Sequence, residues 1–415
     1  MTSRPAMGPV LVVVLVVLGT AAQPLGTDLY LAALPAIRNE FGAPVGVVQL
    51  TLSVLVSSFG LSQLFWGPAA DRFGRRPVFL TGFALYAGGA ILGAAAPSIA
   101  VLIAARVLQG LGIAATMVCA RALVRDLYGQ HQGTHVMTLA MSALACITML
   151  VPVAGAALAD ALGWRSTLLA MALFGLGCLT LVAVRVPETA RALRTDALQA
   201  APLLSAYGQI ALNPTFRSWT LLNAFGYAAN FGFFSGSAYL FIETFGVSRV
   251  AFGLLIGGAS VAYLCGTFLC RRWIAGSGIV STVQRAGWVA LAAAAAFLVP
   301  ELLHVHNAAT LTGALWLMLM AYGIYQPCGH VGMATPFPLQ AGAASALGGF
   351  IFAAAAFCSG TWIGFMFTAG SSTVLAITTG LLSACSGITC ITLLQRYGEP
   401  APNTISPATT PRGTT

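Results

Sequence analysis

Residues 67–77 read Gly67-Pro68-Ala69-Ala70-Asp71-Arg72-Phe73-Gly74-Arg75-Arg76-Pro77, with one acid and three guanidinium groups in a chain otherwise nearly free of charge. A long apolar run ends just before this stretch and another begins just after it. The spacing predicts a tight charged loop at one face of a membrane, between two crossing helices. Gly67 lets the incoming helix pack closely and turn. Asp71 can pair with a cation or cap a helix N-terminus, where the macrodipole favours an anion. The arginines assign the face, because basic loops stay in the cytoplasm.

Composition agrees. The 415 residues are 58% hydrophobic and 7% charged, with mean hydropathy +0.88, whereas soluble domains carry about 25% charged residues. The sequence is that of an all-α integral membrane protein whose partner is the lipid bilayer. Its net charge of +9 comes from arginines in short loops rather than from a basic patch with interleaved aromatics, which excludes a nucleic-acid partner. The nine cysteines fall inside or at the edges of apolar runs, without metal-ligand spacing or a loop framework, and read as small buried side chains. No metal and no cofactor is expected. The N-terminal apolar run passes from Pro9 to Ala36 without a convincing cleavage site, so it reads as a retained first helix rather than a signal peptide.

Twelve apolar runs are long enough to span, at roughly 8–37, 46–66, 77–96, 98–123, 135–160, 165–186, 215–242, 250–270, 280–300, 308–329, 340–367 and 372–394. They lack the two-residue alternation of barrel strands. An even number places both termini on one side. With Arg4 inside, fourteen of the 19 arginines lie in cytoplasmic loops and ends. Only Arg38, Arg165 and Arg249 lie outside, and Arg106 and Arg121 fall within a run. Both termini are therefore cytoplasmic. The longest interval follows six runs and precedes six. It begins Pro187-Glu188-Thr189 and carries Arg191, Arg194 and Asp196. The expected organisation is a six-helix bundle over 1–186, a cytoplasmic connector over 187–214, a second six-helix bundle over 215–397, and a disordered Pro- and Thr-rich tail over 398–415. A degenerate copy of the opening stretch, Gly266-Thr267-Phe268-Leu269-Cys270-Arg271-Arg272, follows the eighth run, with Cys270 in place of the acid.

Asp28 lies inside the first run, in Thr27-Asp28-Leu29-Tyr30-Leu31-Ala32-Ala33-Leu34-Pro35. A carboxylate there costs about 2.5–3.5 kcal/mol on insertion scales and is functional by default. The alternative is a wetted carboxylate near the outer interface. Arg106, in Arg106-Val107-Leu108-Gln109-Gly110, is the matching buried cation of the fourth run. At 1.5 Å per residue both lie about 12–15 Å below the outer face, so they can pair directly or through water. The alternative for Arg106 is a structural role on backbone carbonyls. Arg121 reads as snorkelling to the interface.

In the second half Asn223, Tyr227, Asn230 and Phe234 share one helical face, as do Met318, Tyr322 and Tyr325 with Gln326 nearby. With Tyr30 and Gln109 from the first half, they are candidate walls of a cavity for an amphipathic ligand. The alternative is ordinary helix packing with polar glue. His304 and His306 fall in an outer loop and His330 at the inner end of the tenth run; none is assigned a metal.

The stretch Gly67 to Arg76 resembles the signature loop of the major facilitator superfamily, G-x3-D-R-x-G-R-R. Within the superfamily the chain resembles the drug:proton antiporters of the Bcr/CflA group over about residues 10–395. The matches are Asp28 to Pro35, Gln63 with Gly67-Pro68, Arg125-Asp126-Leu127-Tyr128, Pro187-Glu188-Thr189 and Asn213-Pro214-Thr215-Phe216. Val151-Pro152-Val153-Ala154-Gly155-Ala156 looks like the antiporter motif G-P-x-x-G-G, with two glycines replaced and Pro152 and Gly155 kept. The resemblance implies two bundles related as parallel repeats, and a central cavity lined by the first and fourth helices. It implies a latch in which Gly67, Asp71, Arg72, Gly74, Arg75, Arg76 and Asp126 hold the halves in one state. It also implies a monomer in the bacterial inner membrane that exports drugs in exchange for protons, with Asp28 and Arg106 coupling the two. An importer of a nutrient or metabolite on the same fold is the rival. A membrane enzyme is not supported: the sequence has no Gly-rich phosphate loop, no HExxH and no Ser/His/Asp set.

Overall fold

A computed structural model describes residues 7–128, 130–190, 193, 199–305, 307–338, 340–367 and 371–398. Arg4, Arg191, Arg194, Asp196, His306, Arg412 and the tail beyond Gly398 lie outside the described residues.

Among the described residues, twelve long helices form two bundles of six. The first bundle holds α1 (Pro9–Phe41), α2 (Val45–Phe73), α3 (Arg75–Ala94), α4 (Ile99–Leu127), α5 (Gln130–Leu162) and α6 (Arg165–Arg185). A shorter helix, Ala200–Leu212, occupies the connector. The second bundle holds α7 (Pro214–Ala238), α8 (249–277), α9 (279–302), α10 (Ala308–Ala334), α11 (Ala341–Met366) and α12 (Thr373–Ile391). Helices α8 and α9 meet at Gly278, whose φ of 75° breaks the helical course. Side chains such as Leu173, Phe268, Trp288 and Phe365 are exposed, as a lipid solvent permits.

Three local features position the functional residues. First, α1 is not continuous. Its opening segment ends at Asp28, a 3-10 turn covers Leu31–Ala33, and the helix resumes at Leu34–Phe41. Pro35, which has no N–H to donate, sits at the start of the resumed segment. Second, α7 ends in a π-helical stretch, Tyr239–Thr244. Third, the stretch that opens the sequence argument is helix rather than loop. Helix α2 runs through Gly67 to Phe73 and α3 starts at Arg75, so the whole turn is Gly74, at φ 99°. The expected loop was too long because charge was read as ending the helix; a charged terminal turn at a membrane face is as helical as the apolar turns before it.

The bundles meet along two seams, α2 against α11 and α5 against α8. At one end they are also tied by polar contacts. Arg38 pairs with Glu243 at 2.7 Å, Arg249 with Asp160 at 3.2 Å, and the Gln49 side-chain amide donates to the Ser235 carbonyl at 3.0 Å.

Candidate transport cavity and charge network

At the α2–α3 junction Arg75 is the hub. Its guanidinium contacts Asp71 at 2.7 Å and Asp126 of α4 at 2.9 Å, and the Arg75 side chain is 9% exposed. Asp126 is nearly as buried, at 11%, whereas Asp71 is 37% exposed. All three groups belong to the first bundle. Through Arg75 the two acids fasten the ends of α2, α3 and α4 to one another within the first bundle. The polar contacts that tie the bundles, Arg38–Glu243, Arg249–Asp160 and Gln49–Ser235, lie at the opposite end of the helices.

Asp71 does not cap α3. That role falls to Glu188, which follows α6. Its carboxylate accepts from the backbone N–H groups of Arg75 (2.9 Å) and Arg76 (3.2 Å) and from its own neighbours Thr189 and Ala190, both 2.9 Å. An anion across the first N–H groups of a helix is favoured by geometry and by the macrodipole. Gly74 serves this arrangement twice: its φ suits glycine, and a Cβ there would collide with the Glu188 carboxylate. Arg76 donates to the Ala183 carbonyl at 2.9 Å, tying α3 to α6. Arg72 lies over the Phe73 ring, 5.5 Å from its centroid. Gly67 fits its expected role poorly, since a Cβ there would meet nothing within 4 Å. Glu188 was visible in the sequence as part of the connector, but its partners are more than 100 residues away and no local pattern names them.

Asp28 sits at the break in α1 and faces the cavity. The Thr27 hydroxyl donates to it at 2.7 Å. Among the described residues it has no cationic partner. Arg106 is fully buried and turned elsewhere. Its guanidinium donates to the carbonyls of Gly26 and Thr51 and to Gln109 Oε1 (2.7 Å), and it stacks on Tyr30 at 4.2 Å from the ring centroid. A direct Asp28–Arg106 ion pair is therefore not formed. Similar depth did not make them neighbours, because the open carbonyls beside the break in α1 capture the guanidinium first. Arg106 holds the backbone two residues before Asp28 and so positions the carboxylate without touching it. Gly155 of α5 closes the arrangement from the other side, since a Cβ there would strike the Leu29 carbonyl. Pro152, one turn earlier, lies where α5 passes Gly253 of α8.

The cavity lies between the bundles, with a volume of about 950 Å³. Of the expected wall residues, Tyr227, Asn230, Phe234, Tyr322 and Gln326 line it, together with Asp28. Tyr30, Gln109, Asn223 and Tyr325 do not. Tyr30 and Gln109 are committed to Arg106. Asn223 donates to the Trp219 carbonyl inside α7, and Tyr325 packs edge-on against Tyr322. A helical face spans about 100° of arc, and the cavity takes only part of it. Sequence reasoning missed Tyr263, whose hydroxyl donates to Gln326 Oε1 at 2.6 Å, and the flexible Met137 and Met141 of α5. The Asn230 carbonyl oxygen is buried without a hydrogen-bond partner, leaving an acceptor beside the cavity. A concave site with aromatic walls, few polar groups, one acid and one arginine, Arg271, in its lining can hold an amphipathic molecule and a proton.

Comparison with known proteins gives a consistent family. The sequence model of the Major Facilitator Superfamily matches residues 16–360. The chain is 29% identical over 339 residues to multidrug resistance protein D of Escherichia coli strain K12, covering 82% of this chain and 84% of that protein. It is 32% identical over 298 residues to a chloramphenicol resistance protein of Pseudomonas aeruginosa, covering 71% and 69%. Among solved structures, a D-xylose–proton symporter superposes with a TM-score of 0.70 at 13% identity, over 92% of this chain and 97% of that one; this likeness is one of fold.

Proposed function

The chain belongs to the Major Facilitator Superfamily, and from that premise we propose that it exports amphipathic small molecules, of chloramphenicol- or bicyclomycin-like type, across the bacterial inner membrane in exchange for protons. The observation that carries the reading is the Asp28 carboxyl, facing a cavity of about 950 Å³ between the bundles and, among the described residues, without an ion-pair partner. A charge at this depth is costly, and a proton removes that charge reversibly. Drug and proton then compete for one cavity without needing a shared atom. The drug-resistance names of the relatives support the same assignment.

The arginine asymmetry puts the end tied by Arg38–Glu243 outside. The form described is then the one that loads from the cytoplasm, and export follows when the ties release. One proton moving down one pH unit supplies about 1.4 kcal/mol, enough for about a tenfold gradient of a neutral drug.

The test uses everted vesicles holding the full chain. Acidifying the lumen drives chloramphenicol uptake through the wild type, and Asp28→Asn binds drug but sustains no gradient. Proton-driven uptake by Asp28→Asn at the wild-type level overturns Asp28 as the carrier. Chloramphenicol release from the vesicles under the same gradient overturns export in favour of import.

A further inference from the structure

At the position where the second half's copy of the signature stretch replaces the acid, Cys270 on α8 meets Cys328 on α10. Their sulfurs lie 3.6 Å apart, both residues are about 95% or more buried, and both are free thiols. Cys270 also lines the cavity. The pair therefore has one side sealed by helix packing and one side open to whatever enters.

Two thiols this close form a bidentate soft-ligand set, and their spacing selects the centre. Sulfur bonds of about 2.3 Å to a common atom, with the sulfurs 3.6 Å apart, subtend an angle of about 100°. That suits a pyramidal or tetrahedral centre. A linear two-coordinate centre needs sulfurs about 4.6 Å apart at the same bond length. A tetrahedral metal needs four donors, and among the described residues no cluster of three or more His, Cys, Asp or Glu could hold a metal ion. What remains is a pyramidal centre that brings its own third substituent.

We propose that Cys270 and Cys328 form a dithiol site for monosubstituted trivalent arsenicals, R–As(III), with R lying in the cavity. The step is a condensation: R–As=O and two S–H groups give R–As(S)2 and one water. Two As–S bonds replace the As=O bond, both thiol protons leave in the water, and nothing is oxidised or reduced. Tyr263 and Tyr322, with ring centroids 6.0 Å apart, and Leu264 offer the apolar surface that an aryl or alkyl R requires. This inference concerns binding and does not depend on the direction or energetics of transport.

The experiment incubates the purified full chain with phenylarsine oxide and washes it with excess monothiol, which strips single-thiol adducts but not a dithiol chelate. Intact mass is then read before and after adding 2,3-dimercaptopropanol. One wash-resistant phenylarsenic adduct per chain is expected, released by the dithiol. Cys270→Ser and Cys328→Ser are each expected to retain none, and Cys178→Ser to retain one. Peptide mapping of the wild-type adduct, which needs no variant to fold, is expected to find the peptides carrying Cys270 and Cys328 joined through arsenic. No wash-resistant adduct on the wild type, or an adduct mapped to other cysteines, overturns the proposal.

Discussion

Replacing Arg75 by Gln removes the cation shared by Asp71 and Asp126, and the two carboxylates should respond very differently. Asp126 is 11% exposed and only 2.9 Å from the guanidinium, so Arg75→Gln takes a charge-assisted hydrogen bond away from a nearly buried carboxylate. Breaking a buried pair from one side costs about 3–5 kcal/mol. Arg125 offers little compensation, being 3.8 Å away and 65% exposed. Asp71 is 37% exposed, and water screens it; a pair of that kind contributes about 1 kcal/mol or less. The decisive measurement is a double-mutant cycle on the purified full chain in mixed micelles, with unfolding followed by circular dichroism. Arg75→Gln alone should lose about 3–5 kcal/mol. Adding Asp126→Asn should restore more of that loss, because the more buried acid is the more strongly coupled of the two, whereas adding Asp71→Asn should restore about 1 kcal/mol or less. Salt should weaken the Asp71 coupling and leave the Asp126 coupling nearly unchanged. If Asp71→Asn rescues Arg75→Gln as fully as Asp126→Asn does, the burial argument fails and the exposed acid is the true partner.

Two further outcomes follow from the same geometry. Gly74→Ala should lower stability by about 1–3 kcal/mol from backbone strain alone, and more because the new Cβ displaces Glu188; a thermal-unfolding midpoint equal to the wild type would contradict both parts. Neutralising the ties at the closed end with Glu243→Gln and Asp160→Asn removes two partly exposed pairs worth about 0.2–1 kcal/mol each. The bundles should then separate there in up to roughly thirtyfold more molecules, read as spin-label distances across the two seams, and unchanged distance populations would show that the seams alone keep that end shut.

Much of this protein was legible in advance because bilayer insertion is a local matter. Run length and the absence of charge pointed to an all-helical chain of about twelve spans, and the described residues form long helices of that kind. The stretch over 67–77 reads as a loop from its charge, whereas in the structure the helix continues through it to Gly74. Periodicity found the right faces of α7 and α10, yet only Tyr227, Asn230, Phe234, Tyr322 and Gln326 reach the cavity, because neighbouring helices cover Asn223 and Tyr325.

By itself, the sequence determined that the chain lives in a membrane and which family it resembles, and it singled out Asp28 and Arg106 as costly charges within apolar runs. Each conclusion rests on transfer free energy or on motif spacing, properties that a segment carries wherever it is placed. Tertiary structure alone decided who partners whom. Arg106 turns to the carbonyls of Gly26 and Thr51, 80 and 55 residues away, and not to Asp28. Glu188 reaches back to the start of α3, and Cys270 finds Cys328. A buried donor takes the acceptors that packing brings within about 3 Å, and that choice depends on helices far apart in the chain.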